Sequence, residues 1–211
     1  MGKGRWRVGV VALQGDVREH AHALTACGAD PIAVRWPSDL DGVQALVLPG
    51  GESTTMSLLL RSSGLDRALE ARIADGLPVL GTCAGMILLA TDVVDGRPDQ
   101  LSLGAIDLTI RRNAFGRQLQ SFETDLEVLG IDGGPMHAIF IRAPLVVRVG
   151  AGVDVLAAIH AEGYVATGEP QAAKGRPVVC RHRRVTVAAF HPELAGDVRL
   201  HQLLLCDIEG D

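Results

Sequence analysis

The sequence predicts an α/β fold with a mostly parallel central sheet flanked by helices and an antiparallel C-terminal section. Three observations carry this. Short, continuous apolar runs such as Val8-Gly9-Val10-Val11-Ala12-Leu13 suit strands covered on both faces. Helix-like patterns separate these runs over the first part of the chain, and alternating strands and helices imply right-handed βαβ units. Past Thr91 the texture changes to short strand patterns divided by Gly, Asp and Pro, with few helices between them.

Taken in order, the first strand covers residues 8–13, and a helical pattern over 17–27 is closed by Gly28. Strands follow at 31–34 and 43–48, the second running into the turn Pro49-Gly50-Gly51. Ser53 is the expected cap of a helix over 54–61. A second helix spans 65–74, and Gly76 stops it before a strand at Val79-Leu80. Small residues then interrupt the apolar pattern, which resumes as the helix Met86-Ile87-Leu88-Leu89-Ala90. The polar stretch 92–100 reads as a surface loop. Strand patterns recur at 103–110, 136–141, 146–149, 155–161, 164–166, 178–180 and 185–190, and a closing helix spans 198–208. No repeat, low-complexity tract or linker divides the chain, so residues 1–211 are expected to form a single domain.

At 211 residues, with 47% apolar and 21% charged side chains, the chain can bury a substantial core and is expected to be globular. A net charge of -5 offers no basic footprint for nucleic acid. No apolar stretch approaches the roughly 20 residues needed to span a bilayer, and the N-terminus shows no signal-peptide pattern. A cytoplasmic protein is the expectation. Cys27, Cys83, Cys180 and Cys206 form no C-x-x-C pair, which argues against a zinc site or disulfide framework.

Cys83 differs from the other three. In Gly81-Thr82-Cys83-Ala84-Gly85 it sits at a strand-to-helix break flanked by glycines, the setting of a nucleophile elbow. A bend there exposes the thiol, and a helix N-terminus favours thiolate. Near the other end of the chain, an apolar strand leads into His191-Pro192-Glu193. Ligands of open α/β sheets bind beyond the carboxyl ends of the strands, where this histidine falls. Residues two apart in extended chain share a side, so Glu193 can reach the His191 ring and set its tautomer. Cysteine, histidine and carboxylate are the parts of a nucleophile-base-orienter triad. Spacing does not decide whether the two segments meet.

Pro49-Gly50-Gly51-Glu52-Ser53-Thr54-Thr55 is a second glycine-rich turn, without the lysine of a P-loop. It is either a plain tight turn or a place where Gly50 and Gly51 aim N–H groups at a ligand, forming an oxyanion hole with the Ala84 N–H. His20 and His22 fall on different helix faces, and His137, His160, His182 and His201 lack ligand-like spacing, so solvated or packed roles are expected and no metal.

These strings resemble the class I, triad-type glutamine amidotransferases, and within them the glutaminase subunits of pyridoxal phosphate synthases. Beside the Cys83 and His191 motifs, the resemblance rests on Ala12-Leu13-Gln14-Gly15-Asp16-Val17-Arg18-Glu19-His20, Leu48-Pro49-Gly50-Gly51-Glu52-Ser53-Thr54-Thr55-Met56, Arg112-Asn113-Ala114-Phe115-Gly116-Arg117-Gln118, Phe140-Ile141-Arg142-Ala143-Pro144 and Ala189-Phe190-His191-Pro192-Glu193-Leu194. It implies a flavodoxin-like fold and hydrolysis of L-glutamine to glutamate and ammonia. Cys83 would then be the nucleophile, His191 the base and Glu193 its orienter. Gly51, Glu52, Ser53, Arg112, Ile141 and Arg142 match the glutamine-binding positions. Gln14 matches a loop that contacts the synthase and orders the oxyanion site. The resemblance implies a hetero-oligomer with a synthase subunit that takes the ammonia to build pyridoxal 5'-phosphate from ribose 5-phosphate and glyceraldehyde 3-phosphate. It implies no cofactor in this subunit. The residues also admit a glutaminase serving a different synthase, a non-catalytic binding module, or a cysteine peptidase. The longer strings weigh against the first, the intact triad residues against the second, and the want of any sign of a peptide groove against the third.

Overall fold

The computed structural model describes residues 5–112, 121–159 and 175–210. The expected strand at 164–166, His160 and the stretch from Asn113 to Gln118 lie outside the described residues.

The first half of the chain lays down β1 (Arg7–Val11), α1 (Val17–Ala26), β2 (Asp30–Val34), β3 (Ala45–Leu48), α2 (Ser53–Ser63), α3 (Leu65–Ala74), β4 (Val79–Thr82) and α4 (Ala84–Leu89). The second adds β5 (Ala90–Val93), β6 (Ile106–Arg111), β7 (Ser121–Leu126), β8 (Met136–Ile141), β9 (Leu145–Val149), β10 (Asp154–Ile159), β11 (Arg176–His182), β12 (Val185–Ala188), α5 (Pro192–Ala195) and α6 (Arg199–Glu209). The main sheet has the order β10-β11-β12-β4-β3-β1-β2. Its five strands from β12 to β2 are parallel, whereas β11 runs antiparallel between β12 and the edge strand β10. The order 2-1-3-4 that opens the sheet is the flavodoxin-like one. Two smaller sheets, β5-β6-β9 and β7-β8, stand apart from it.

The central parallel strands are covered on both faces: every residue of β3 and β4 is buried, whereas β2 at the edge is buried only at Val34. Helix α1 packs with α5 and α6, and α2 with α3 and α4. The stripe that α1 turns inward, His20, Ala23 and Leu24, follows the three- and four-residue spacing of one helix face.

Three expectations are corrected. Glu52, not Ser53, caps α2: its carboxylate accepts from the Thr54 N–H at 3.0 Å and the Thr55 N–H at 2.7 Å. The Glu52 carboxylate also meets the positive end of the helix. Residues 92–100 are not wholly loop, since β5 extends to Val93 and pairs with β6. Strand β7 was not expected because Ser121, Glu123 and Asp125 alternate with Phe122, Thr124 and Leu126 in too short and too polar a run.

Helix α4 is buried at all six positions. It lies so close to β3 that a Cβ on Gly85 would sit 2.1 Å from the Leu48 carbonyl oxygen. Gly85→Ala must therefore separate two backbone segments. It is expected to cost about 3 kcal/mol, the upper range for overpacking, seen as a lower urea midpoint. An unchanged midpoint would show that the α4–β3 contact is loose.

Candidate active site

Four adjacent parallel strands end on the same side of the sheet, and each delivers one part of the site. Cys83 follows β4, His191 follows β12, the Gly50-Gly51 turn follows β3, and Gln14 and Asp16 follow β1. That is where an open α/β sheet binds its ligands.

Cys83 holds φ 47° and ψ −101°, a left-handed conformation costly for a residue with a side chain. Its N–H donates to the Ala188 carbonyl at 2.8 Å, which ties the elbow to the strand that leads to the histidine. The His191 N–H in turn donates to Ile139 O at 2.9 Å, anchoring that segment on β8. Ala84, the first residue of α4, carries an N–H with no intrahelical acceptor.

The His191 ring meets Cys83 on one side. On the other, its Nδ1–H donates to Glu193 Oε1 at 2.8 Å. A second carboxylate, Asp16 Oδ2, stands 3.2 Å from the same nitrogen. Burial lowers the imidazole's proton affinity, but hydrogen bonds with Asp16, Cys83 and Glu193 and the charge of Cys83 outweigh it and push His191 up to about 12. Burial raises Glu193, opposed by its bond to His191. The hydrogen bond with His191 holds Asp16 below the usual carboxylate range. Donor atoms of Asp16, His191 and Glu193 lie within 4.8 Å of one another. A cation bound there would take the nitrogen that His191 offers to Glu193.

In front of Cys83 and His191 lies a cavity of about 360 Å³. Gly51, Glu52, Ser53, Arg112, Ile141 and Arg142 all line it, together with Cys83 and His191. Gly50 stands beside the base instead, where a Cβ would come within 2.3 Å of His191 Cε1. Gln14 braces the turn: its Oε1 accepts from the Glu52 N–H at 2.8 Å and leaves no room for a Cβ on Gly51, at φ 149°.

The two arginines differ. Arg112 is held by Thr54 Oγ1 at 2.9 Å, Gln100 Oε1 at 3.0 Å and the Glu52 carboxylate at 3.3 Å. Burial raises the Glu52 carboxyl, but the Thr55 and Thr54 hydrogen bonds overcome this and hold it at about 2, so Arg112 faces a full negative charge. Arg142 is exposed at φ 48° and has no ion-pair partner among the described residues.

Asp16, Ile87 and Leu194 also line the cavity without having been singled out from sequence. Asp16 carried a signal, since it falls just beyond a strand's carboxyl end, two residues from Gln14. His20, Thr82 and His201 were missed too. They lie buried behind Glu193, with His20 Nε2 3.1 Å from Thr82 Oγ1 and His20 Nδ1 2.9 Å from His201 Nε2. No spacing rule joins residues 181 positions apart. Cys180 lies buried in β11, where burial pushes its thiol up to about 12, and it has no place in the site.

The sequence model of the SNO glutamine amidotransferase family matches residues 10–209. The chain is 55% identical over 203 residues to a Rhodococcus jostii protein named pyridoxal 5'-phosphate synthase subunit PdxT, covering 96% of this chain and 97% of that protein. It is 56% identical over 194 residues to the protein of the same name from Salinispora arenicola, covering 92% of each. A crystal structure described as a glutamine amidotransferase superimposes with a TM-score of 0.84 at 44% identity, covering 96% of this chain and 98% of that one.

Proposed function

The chain belongs to the SNO glutamine amidotransferase family, and on that footing we propose that it is the glutaminase subunit of a pyridoxal 5'-phosphate synthase. It hydrolyses L-glutamine to glutamate and ammonia and hands the ammonia to a synthase subunit in a hetero-oligomer. The observation that carries this reading is the strained Cys83, coupled to the His191–Glu193 pair at the floor of a cavity large enough for one amino acid.

The Cys83 thiolate attacks the side-chain amide carbon, and the carbonyl oxygen becomes an oxyanion facing the N–H groups of Ala84 and of the Gly50-Gly51 turn. His191, protonated and held at Nδ1, gives its Nε2 proton to the departing ammonia. The resulting γ-glutamyl thioester is opened by a water that His191 activates as a base, which returns Cys83 and frees glutamate. Gly51, Ser53 and Ile141 frame the substrate. Arg142, with no carboxylate partner among the described residues, suits the α-carboxylate of glutamine, while Arg112, already paired with Glu52, shapes the wall. The turn is held by Gln14, so a partner seated on the Gln14 loop gains leverage over the oxyanion donors.

A single catalytic domain over the whole chain and a cytoplasmic location complete the proposal. No helix among the described residues is long and apolar enough to cross a membrane.

The test is glutamine turnover with and without the synthase subunit, reading glutamate and ammonia. Hydrolysis should rise on adding the synthase, and the ammonia should appear in pyridoxal phosphate. Equal rates in both conditions would remove partner activation, and no hydrolysis in either would remove the glutaminase reading.

A further inference from the structure

Behind the triad, Glu193 presents one oxygen to His191 and buries the other. That second oxygen, Oε2, has no hydrogen-bond partner among the described residues. His20 Nε2 lies 3.4 Å from it. An ionised carboxylate oxygen buried without a donor is costly, and catalytic hydrogen bonds are often long before substrate binds. From this geometry we infer that His20 is a positioning residue of the triad. Its Nε2–H serves the far oxygen of Glu193, keeping that carboxylate ionised and aimed at His191. The inference rests on the glutaminase reading above.

The direction of the proton follows from the neighbours. His20 Nδ1 and His201 Nε2 are 2.9 Å apart, so one of them donates to the other. His201 Nδ1 is buried and has no partner among the described residues. If His20 Nδ1 were the donor, a neutral His201 would carry its proton on Nδ1. That would leave a buried N–H without an acceptor and aim a bare His20 Nε2 lone pair at Glu193. With His201 Nε2 as donor, only a lone pair on His201 Nδ1 goes unused, which is the lesser cost. The His20 proton then sits on Nε2, between Thr82 Oγ1 at 3.1 Å and Glu193 Oε2. Burial, with the positive charge of His191 nearby, keeps His20 neutral, and burial keeps His201 neutral as well. The chain His201 to His20 to Glu193 to His191 thus runs from α6 through α1 to the base. The ionisable groups facing Glu193 are His191 from its own segment, His20 from α1 and Asp16 from the β1–α1 turn.

Two substitutions separate positioning from packing. His20→Gln keeps an N–H donor near the Nε2 position, whereas His20→Leu fills similar space without one. Assayed with the synthase present, His20→Leu should lower kcat by about tenfold to a hundredfold, as expected for loss of a hydrogen bond to a charged group. Its KM for glutamine should stay near wild type, and the acid limb of kcat/KM should move to higher pH. His20→Gln should restore most of kcat and return the acid limb. Equal losses in both variants, with the pH profile unmoved, would make His20 a packing residue and overturn the inference. So would full activity in His20→Leu. Nitrogen-15 spectra of the histidine-labelled wild-type protein provide a check that needs no variant to fold and no turnover. They should show His20 as the neutral Nε2–H tautomer, and an Nδ1–H tautomer would overturn the inference.

Discussion

Replacing Cys83 with alanine is expected to abolish glutamine hydrolysis, with a loss of roughly 10⁶ in kcat, as when the nucleophile of a catalytic triad is removed. In the proposed mechanism every covalent step passes through Sγ, and neither Cys180 nor Cys27 can substitute. Cys180 is buried in β11 and Cys27 lies beside Val198 on the α6 side, both with raised proton affinity. The fold should survive, because alanine is smaller and the elbow is held by backbone bonds such as Cys83 N–H to Ala188 O. The strain at φ 47° remains in the alanine variant. Cys83→Gly, equally inactive, relieves it by about 1–3 kcal/mol, against a backbone-entropy cost of about 0.5–1 kcal/mol. The glycine variant should therefore unfold at a temperature no lower than the alanine variant. Ammonia release at the wild-type rate by Cys83→Ala would end the catalytic assignment. A glycine variant less stable than the alanine one would show that the elbow is not strained.

His191→Ala should come close to the same loss, and Glu193→Ala should fall well short of it. In the proposed mechanism the imidazole moves the protons, so nothing replaces it. Glu193 only holds Nδ1–H, and Asp16 Oδ2, at 3.2 Å from the same nitrogen, can take over part of that hold. Removing a triad orienter costs about 10⁴ where no second carboxylate stands by, so Glu193→Ala should lose less than that. The backup is itself testable. Asp16→Asn alone should cost little, while the Asp16→Asn/Glu193→Ala double variant should lose more than the two single losses combined. Simple additivity would show that Asp16 does not share the role. A larger loss in Glu193→Ala than in His191→Ala would overturn the assignment of base and orienter.

The central parallel strands β1, β3 and β4 were legible because strands covered on both faces are apolar over most of their length. Helices α1, α3 and α6 were legible because an amphipathic face repeats every three to four residues. Strand β7 was not, because its alternation is carried by polar residues whose burial depends on pairing with β8. The Glu52 cap was hidden by Ser53 next to it, an equally good cap on local grounds. Only the loop path before α2 decides which side chain turns back onto the helix.

In the site, Cys83 and His191 were readable because each lies just past a strand end among small or rigid residues, and Glu193 because it follows His191 by two positions, in α5. The His20–His201 pair was not, and Asp16 showed only its place beyond the end of β1. Their roles come from proximity across α1, α5 and α6, and a side chain's partner across three helices leaves no period in the chain.

By itself, the order of residues determined which groups could do chemistry here and that they would fall beyond the carboxyl ends of strands, since turn chemistry and apolar periodicity are local properties. Only the tertiary structure decided that four of those ends converge on one cavity. It also decided that two carboxylates share one imidazole nitrogen, and that a buried pair of neutral histidines stands behind Glu193. The physical reason is that hydrogen bonding and desolvation act through distances of a few ångströms, and sheet order, not sequence separation, sets those distances.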